Sequence, residues 1–391
     1  MSSLPLITTA ERRHRLGRRH RLAPSARASD VPQVADAVIG LHATDAATVF
    51  LSARARLNEG GPVAIERALY EDVSLVRLLS MRNTLFAVST ELAPYVDSST
   101  ARGIALKERR AFLKHLDEDG QGLDADWLAR VESAVLDALD AHGPSTGTQL
   151  STAVPALRQK FVYGRGKKYE TETGVATRVI RLLAADGRIR RDRPRGSWTS
   201  SQYRWVHTEP WPAVPPAEAR AEIARRWLRS YGPATEADFK WWTGWTLSDV
   251  RKALAVVGPD EVRLDDGSTA LVHPADTGPE PEQEPWAALL PALDPSAMGW
   301  VDRGFHLDPA HRPALFDHSG NIGPTVWWNG EIVGGWAQRA DGEIVHRLLG
   351  DPGSEAGSAV AAEAVRLATW LGEARVTPRF RTPLERELVA G

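Results

Sequence analysis

The sequence predicts an α+β fold: tandem winged-helix domains followed by a small C-terminal antiparallel β-barrel. Three observations predict it. One coarse unit, two or three short helices and then one or two short strands, occurs three times before residue 273, with no strict repeat of residues. Helix, helix, hairpin is the winged-helix plan. Residues 286–349 are instead strand-rich, with turn signals such as Asn329-Gly330 and Asp341-Gly342 between apolar runs, which suits a small barrel or sandwich. Two proline-rich stretches, His207-Thr-Glu-Pro-Trp-Pro-Ala-Val-Pro-Pro216 and His273-Pro-Ala-Asp-Thr-Gly-Pro-Glu-Pro-Glu-Gln-Glu-Pro285, sustain neither helix nor inner strand. A further seam lies at Gly143-Pro144, after an acidic helical pattern over 123–139. Four domains are therefore expected: 1–142, a winged helix with a helical extension; 143–206, a winged helix with a basic hairpin; 217–272, a third winged helix; and 286–391, the barrel.

In chain order, Thr8-Thr-Ala-Glu11 has capping-box spacing and opens an arginine-rich helix. Asp30-Val-Pro32 opens a second, with Val34, Val38, Ile39 and Leu41 on one face and His42 at its end. Thr44-Asp45 precede a third helix, and residues 81–88 read as a short strand. Gly143-Pro-Ser-Thr146 starts a helix near Gln149, and another spans 173–185. Residues 187–192, the turn Pro194-Arg-Gly196 and the return 197–205 read as a β-hairpin. In the third unit a helix over 217–231 precedes Thr235, which caps a helix over 236–241. A helix over 247–256 and strands at 262–264 and 270–272 around Asp265-Asp-Gly267 follow. A last helix covers about 358–371.

Hydrophobic residues make up 42% of the 391 and charged residues 25%, which excludes a disordered chain and a collagen-like fibre. No apolar run approaches the roughly 18–20 residues of a membrane span. The N-terminal run lacks the apolar stretch and small-residue cleavage site of a secretory signal. A cytoplasmic monomer without a membrane partner is expected. Cysteine is absent, which excludes disulfides, thiolate metal sites, iron–sulfur clusters and cysteine nucleophiles. Net charge is −2, but residues 1–210 carry +7 and the remainder −9. The basic excess is sharpest at 158–195, where 12 basic residues face 4 acidic ones, and such a patch suits phosphate.

Walker A and GxGxxG sequences are missing. Gly143-Pro-Ser145-Thr-Gly147 matches GxSxG, but a nucleophile elbow needs a strand before its serine. Here a helix precedes it, so a helix-start turn is expected. His306, His311 and His318 do not have metal-site spacing and read as surface histidines. Trp241, Trp242 and Trp245 have helical spacing and read as core. The basic hairpin carries Arg188, Arg190, Arg191, Arg193 and Arg195 on or beside its turn, with Trp198 and Gln202 on the return strand. Alternation puts Arg188 and Arg190 on one face and Arg191 and Arg193 on the other. These residues, with Lys167 and Lys168, are the expected contacts to duplex DNA. Leu41-His42-Ala43-Thr44-Asp45 brings an imidazole, a hydroxyl and a carboxylate to one helix junction. Local physics assigns Thr44 or Asp45 to capping.

Five runs carry a resemblance. They are Gly40-Leu-His-Ala-Thr-Asp-Ala-Ala-Thr-Val-Phe-Leu-Ser-Ala-Arg-Ala-Arg56, Leu75-Val-Arg-Leu-Leu-Ser-Met-Arg-Asn-Thr-Leu-Phe86, Gly196-Ser-Trp-Thr-Ser-Ser-Gln-Tyr-Arg204, Tyr231-Gly-Pro-Ala-Thr-Glu-Ala-Asp-Phe-Lys-Trp-Trp242 and Leu290-Pro-Ala-Leu-Asp294. Together they resemble the winged-helix DNA-binding proteins that include the AlkZ-like and YcaQ-like DNA glycosylases. The resemblance spans nearly the whole chain. It implies winged helices around a cleft, and hydrolysis of the N-glycosidic bond of N7-alkylated purines, in some members with unhooking of interstrand crosslinks. The family's Gln-x-Gln or Gln-x-Asp motif falls on His42-Ala43-Thr44, so this chain departs from it at both polar positions.

The expected activity is that of a monofunctional DNA glycosylase acting on double-stranded DNA, alkylated or crosslinked. His42 would take a proton from water, Thr44 would orient that water, and Asp45 would supply negative charge. The motif has no lysine for a Schiff base, and no metal or other cofactor is expected. A non-catalytic winged-helix DNA-binding or regulatory protein is the alternative. A small-molecule hydrolase would rest on the GxSxG match alone.

Overall fold

Strand β1 (Leu6–Ile7) leads into helix α1 (Thr9–Arg19), and the chain then builds helix–sheet units that share their cores. The computed structural model describes residues 4–119, 121–274 and 276–391. Residues 1–3, read above against a leader, and Ala275 of the second proline-rich seam lie outside that set.

Thr8 caps α1 by accepting from the Glu11 N–H (3.2 Å). The Glu11 carboxylate does not complete the expected capping box. It accepts instead from Arg15 Nε and the Glu280 N–H, each at 2.9 Å. Asp30 caps α2 (Val31–Ala37), as its sequence position predicts. That helix ends earlier than its apolar pattern suggests. Ile39 and Gly40 both take positive φ, which turns the chain into strand β2 (Leu41–His42). His42 therefore ends a strand, not a helix. After α3 (Ala46–Arg54) and α4 (Pro62–Tyr70) comes a hairpin of β3 (Leu75–Ser80) and β4 (Thr84–Ser89). Residues 81–83, expected as the start of a strand, are its turn. Arg82 and Asn83 have φ of 53° and 59°, the left-handed backbone that closes this three-residue turn. The first sheet has the order β2-β4-β3.

Short α5 (Ala93–Val96) passes through a π turn (Asp97–Ala101) into α6 (Arg102–Asp119), followed by α7 (Ala125–His142). The capping box Thr146/Gln149 then opens α8 (Gly147–Ala153). The Ser145 hydroxyl donates to the Gly143 carbonyl (2.9 Å), so the GxSxG match is a helix-start turn. The next hairpin, β5 (Lys160–Tyr163) with β6 (Thr171–Gly174), occupies residues expected in part as helix. Helix α9 (Ala176–Ala185) leads to β7 (Ile189–Asp192) and β8 (Arg204–His207). The return strand is thus shorter and later than expected, and residues 193–203 form the loop.

The third unit follows the sequence closely: α10 (Pro216–Tyr231), α11 (Glu236–Thr243) capped by Thr235, α12 (Leu247–Val257), and the hairpin β9 (Asp260–Leu264) and β10 (Thr269–Val272). The N-terminal β1 adds to it in parallel, giving the order β1-β9-β10. Last come β11 (Ala287–Leu290), α13 (Arg312–Leu315), β12 (Thr325–Trp328), β13 (Glu331–Gln338), β14 (Ile344–Leu348), α14 (Ser354–Leu371) and α15 (Pro383–Ala390). The expected barrel is not closed. These four strands form an open antiparallel sheet in the order β11-β12-β13-β14. Four strands are too few to curl through a full turn. Helix α14 lies against β11, β12 and β14, and α15 against β13 and β14, so helices do the covering.

Two core clusters weave the first unit into the last. One joins Leu16, Phe86 and Val88 to Trp227, Tyr231, Trp300 and Trp327; the other joins Val34 and Phe50 to Val326, Trp336 and Leu367. A third cluster, from Phe112 to Ile189, belongs to the middle of the chain alone. His306 is not at the surface. It is wholly buried, stacked on Trp327 at 5.5 Å, and burial lowers its pKa. Among the described residues no helix is long and apolar enough to cross a membrane.

A buried polar knot pins these parts together. Arg56 and Asp294, both fully buried, form a bidentate pair (2.7 and 2.9 Å). The Ser52 hydroxyl donates to Asp294 (2.6 Å), and Arg56 also donates to Ser296 Oγ (2.8 Å). Ser296 meets His20 Nδ1 (2.8 Å), and His20 Nε2 meets the Ser230 carbonyl (3.2 Å). Of the two neutral tautomers, the one protonated on Nε2 satisfies both partners. Burial, then the Arg56 charge, lowers His20 to about 3. Burial would raise Asp294, but Arg56 and its hydrogen bonds outweigh that and hold it below its ordinary value.

Two outcomes follow for stability. Asp294→Ala strands the Arg56 charge, so urea unfolding should show a loss of about 3–5 kcal/mol; a loss under about 1 kcal/mol would remove the pair from its central place. His20 has a folded pKa below its unfolded one, so its contribution is full above about pH 6.5. It is lost as pH falls towards 3, because the unfolded state then binds the extra proton. His20→Gln should flatten the stability–pH slope between about pH 6 and 4 by close to 1.4 kcal/mol per pH unit.

Candidate functional site

The His-Ala-Thr-Asp run sits where β2 hands over to α3. Its backbone is held by the sheet: Leu41 pairs with Ala87, His42 with Phe86, and the Ala43 N–H donates to the Leu85 carbonyl (2.8 Å). His42 is only 4% exposed and lies against Phe86 at 5.2 Å. Burial, then the nearby Arg82 charge, lowers its pKa to about 4, so the ring is neutral at physiological pH. The Thr44 N–H points at Nδ1 (3.5 Å). That makes Nδ1 the acceptor and leaves the ring proton on Nε2. Asp45 caps α3, with Oδ1 accepting from the Ala47 N–H (3.1 Å) and Oδ2 from the Arg379 N–H (2.9 Å). Both carboxylate oxygens are therefore engaged by backbone. The Arg379 guanidinium also reaches the Thr44 carbonyl (3.5 Å), so the C-terminal segment straps the motif from outside.

Thr44 lies on the wall of a cavity of about 660 Å³. The cavity opens between the first sheet and the α9–β7–β8 unit. Its lining takes Arg77 and Leu79 from β3, Asn83 from the hairpin turn, Thr177 and Arg181 from α9, Arg190 and Arg191 from β7, Trp205 from β8, and Arg379. Five of its lining residues are arginines and none is a carboxylate. Arg181 is answered from outside the lining by both oxygens of Glu108 (2.6 and 2.7 Å). Arg191 lies over the Tyr203 ring at 4.5 Å and the Trp205 ring at 5.7 Å. Burial lowers its pKa, Tyr203 opposes, and the charges of Arg77 and Arg379 add to the lowering. Arg190 is lowered by burial, partly offset by Asp192.

The residues singled out from sequence divide into groups. Thr44, Arg190 and Arg191 meet at the cavity. His42 stands behind Thr44 and is not part of its lining. Arg190 and Arg191 both contribute to one wall, although strict alternation would separate them. Arg188 is half-buried near Glu132, and Arg193 pairs with Glu71 (2.9 Å). Arg195 and Gln202 are exposed and joined through backbone, Arg195 N–H to Gln202 O (2.8 Å). Trp198 does not face solvent. It is 9% exposed and stacks on Phe50 at 4.8 Å, which docks the hairpin loop on α3. Lys167 and Lys168 are exposed in the turn between β5 and β6, outside the cavity.

Arg77 and Arg379 were not legible as site residues. Arg77 sits inside an apolar strand pattern, and Arg379 belongs to a tail with no periodicity. The signal that existed was a charge inside a buried strand, Leu75-Val-Arg-Leu-Leu79, which requires a partner or a function. Among the described residues no three His, Asp or Glu side chains gather as a metal site.

Comparison with known proteins places this architecture. The chain resembles the solved DNA glycosylase AlkZ of Streptomyces sahachiroi, with a TM-score of 0.68 at 22% identity over 94% of this chain and 98% of that one. At that identity the likeness speaks for the fold. No curated protein sequence matches the chain. The sequence model described as "DNA glycosylase AlkZ-like" matches residues 35–370, a span that holds the His-Ala-Thr motif, the hairpin arginines and the Arg56–Asp294 pair. The chain thus belongs to the AlkZ-like DNA glycosylase family.

Proposed function

We propose that this protein is a monofunctional glycosylase that hydrolyses the N-glycosidic bond of N7-alkylated purines in duplex DNA, acting as a monomer. The observation that carries the reading is the position of Thr44, a motif residue, on the wall of an arginine-lined cavity. A 7-alkylguanine is cationic, so breaking the C1′–N9 bond returns the electron pair to a base that leaves neutral. The sugar becomes oxocarbenium-like, and water supplies the oxygen that bonds C1′ and loses its proton to solvent. The protein has mainly to place that water. The Thr44 hydroxyl, donor and acceptor at once, orients it. His42 acts through Thr44: its Nδ1 fixes the Thr44 N–H and hence the loop. Asp45 holds the same loop by capping α3. A lysine amine is absent from the motif, which is why water is the nucleophile. An interstrand crosslink made through purine N7 poses the same chemistry with a larger leaving group.

The helix–helix–hairpin units serve as winged helices that grip the duplex. Arg190 and Arg191 meet phosphates at the cavity, and exposed Arg195, Gln202, Lys167 and Lys168 track the backbone beside it. One observation favours a second reading, duplex binding without turnover. His42 is buried behind Thr44, and neither family glutamine is present.

Release of free base from an N7-methylguanine duplex separates the two readings. Wild-type protein should release it, and Thr44→Val should slow single-turnover excision about 10²-fold with duplex affinity unchanged. Binding with no release from any alkylated duplex establishes the second reading. The excision rate should stay level from pH 8 to about 5 and fall near pH 4, where His42 gains a proton and Nδ1 no longer accepts from Thr44. Affinity should fall with salt at a log–log slope of about −0.9 per phosphate contact. Replacing Arg190 and Arg191 by alanine should flatten that slope by about two contacts; an unchanged slope would take β7 out of the interface.

A further inference from the structure

Arg77 is the least expected of the cavity's cations. It is carried on the central part of β3 and is only 7% exposed. Its Nη1 donates to the Tyr70 hydroxyl (3.0 Å), and its guanidinium lies between the Tyr70 and Tyr203 rings, 5.5 and 5.3 Å from their centres. Its Nε and Nη2 are buried and have no hydrogen-bond partner among the described residues. Arg190 Nη1 is in the same condition. A guanidinium keeps its charge in any protein environment, and buried donors without acceptors are rare in native structures. Nothing anionic lines the cavity to answer them.

The two free N–H groups of Arg77 share one edge of the guanidinium plane. That edge is the fork that takes two oxygens of a phosphate at once. Arg191 and Arg379 stand near enough for their charges to act on one another, with Arg77 included. Such a cluster of like charges favours an anion among its members. Thr44 shares the same cavity.

We infer that the Nε/Nη2 edge of Arg77 is the docking point for a single phosphodiester group of the substrate strand, flanked by Arg190, Arg191 and Arg379. This phosphate anchors the strand so that the damaged nucleotide falls against Thr44. Arg77 is thus a binding and positioning residue, and the identity of the strand rests on the glycosylase reading. Tyr70 and Tyr203 hold the guanidinium in place in the absence of DNA.

The test is a walk of single neutral methylphosphonate linkages along a duplex that contains one N7-methylguanine, read by equilibrium binding and not by base release. In wild-type protein one linkage next to the lesion should weaken binding about tenfold, and the others much less. In Arg77→Met the same linkage should cost nothing further, and the melting temperature should be no lower than that of wild type, because an unanswered buried charge has gone. Arg77→Lys keeps a charge but loses the fork; it should bind as poorly as Arg77→Met and provides the comparison if the methionine variant does not fold. A position-specific loss that persists in the Arg77 variants, or equal sensitivity at every linkage, overturns the proposal. Inorganic pyrophosphate titrated into the free protein separates the sources of the anion. Arg77-dependent binding of pyrophosphate, together with a duplex indifferent to every methylphosphonate, assigns the cavity to a free phosphate ligand and overturns the DNA assignment. Binding governed by one linkage in a protein that releases no base leaves the phosphate site standing and removes the glycosylase reading.

Discussion

The Arg56–Asp294 pair is the constraint on which the rest of the molecule rests. It joins the end of α3 to the segment after β11, and through Ser296 and His20 it reaches the ends of α1 and α10. The Tyr231 hydroxyl adds a bond to the Val38 carbonyl (2.9 Å), immediately before the Ile39–Gly40 turn into β2. Elements far apart in sequence therefore meet at one point that excludes water. A buried ion pair contributes little net stability when desolvation is counted, but a mismatched partner is costly. Any rearrangement that parted Arg56 from Asp294 would leave a buried charge unanswered.

The candidate site inherits that arrangement. Helix α3 runs from Asp45, which holds the motif, to Arg54, just before the knot. The Thr48 hydroxyl donates to the Ala292 carbonyl (3.0 Å), so the helix is fixed along its length against the segment that carries Asp294. Trp198 stacks on Phe50 of the same helix and brings the basic hairpin alongside. One short helix thus registers the motif, the knot and the hairpin loop. The C-terminal strap closes the other side, with the Arg379 N–H on Asp45.

Charge is distributed with the same economy. Arginines that hold the fold together have acidic partners: Arg15 with Glu11, Arg19 with Asp276 and Glu280, Arg109 with Glu132, and Arg54 with Glu363. Two of the cavity arginines, Arg77 and Arg191, lie over aromatic rings instead. Stacking on a ring face positions a guanidinium without neutralising it. The histidines behave oppositely. His20, His42 and His306 are buried beside cations and are held neutral; His20 and His42 fix hydrogen-bond geometry, while both ring nitrogens of His306 lack a partner among the described residues.

The sequence by itself determined the local elements whose ends carry their own chemistry. Asp30, Asp45, Thr146 and Thr235 cap helices where their spacing said they would, because a cap is a contact between residues two or three apart. The family motifs, the basic hairpin and the capping role of Asp45 were legible for the same reason. Tertiary structure decided what depends on residues far along the chain. The C-terminal strands form an open sheet because α14 and α15 cover it, and β1 pairs with β9 across more than half of the sequence. Trp198 and His306 look like surface residues in their polar neighbourhoods, yet partners from other segments bury them. The cavity itself is assembled from β3, α9, β7 and the C-terminal tail. Charge counted along the chain located the hairpin, but whether an arginine is answered or left free depends on which acids the fold brings to it, and only the folded chain settles that for Arg77.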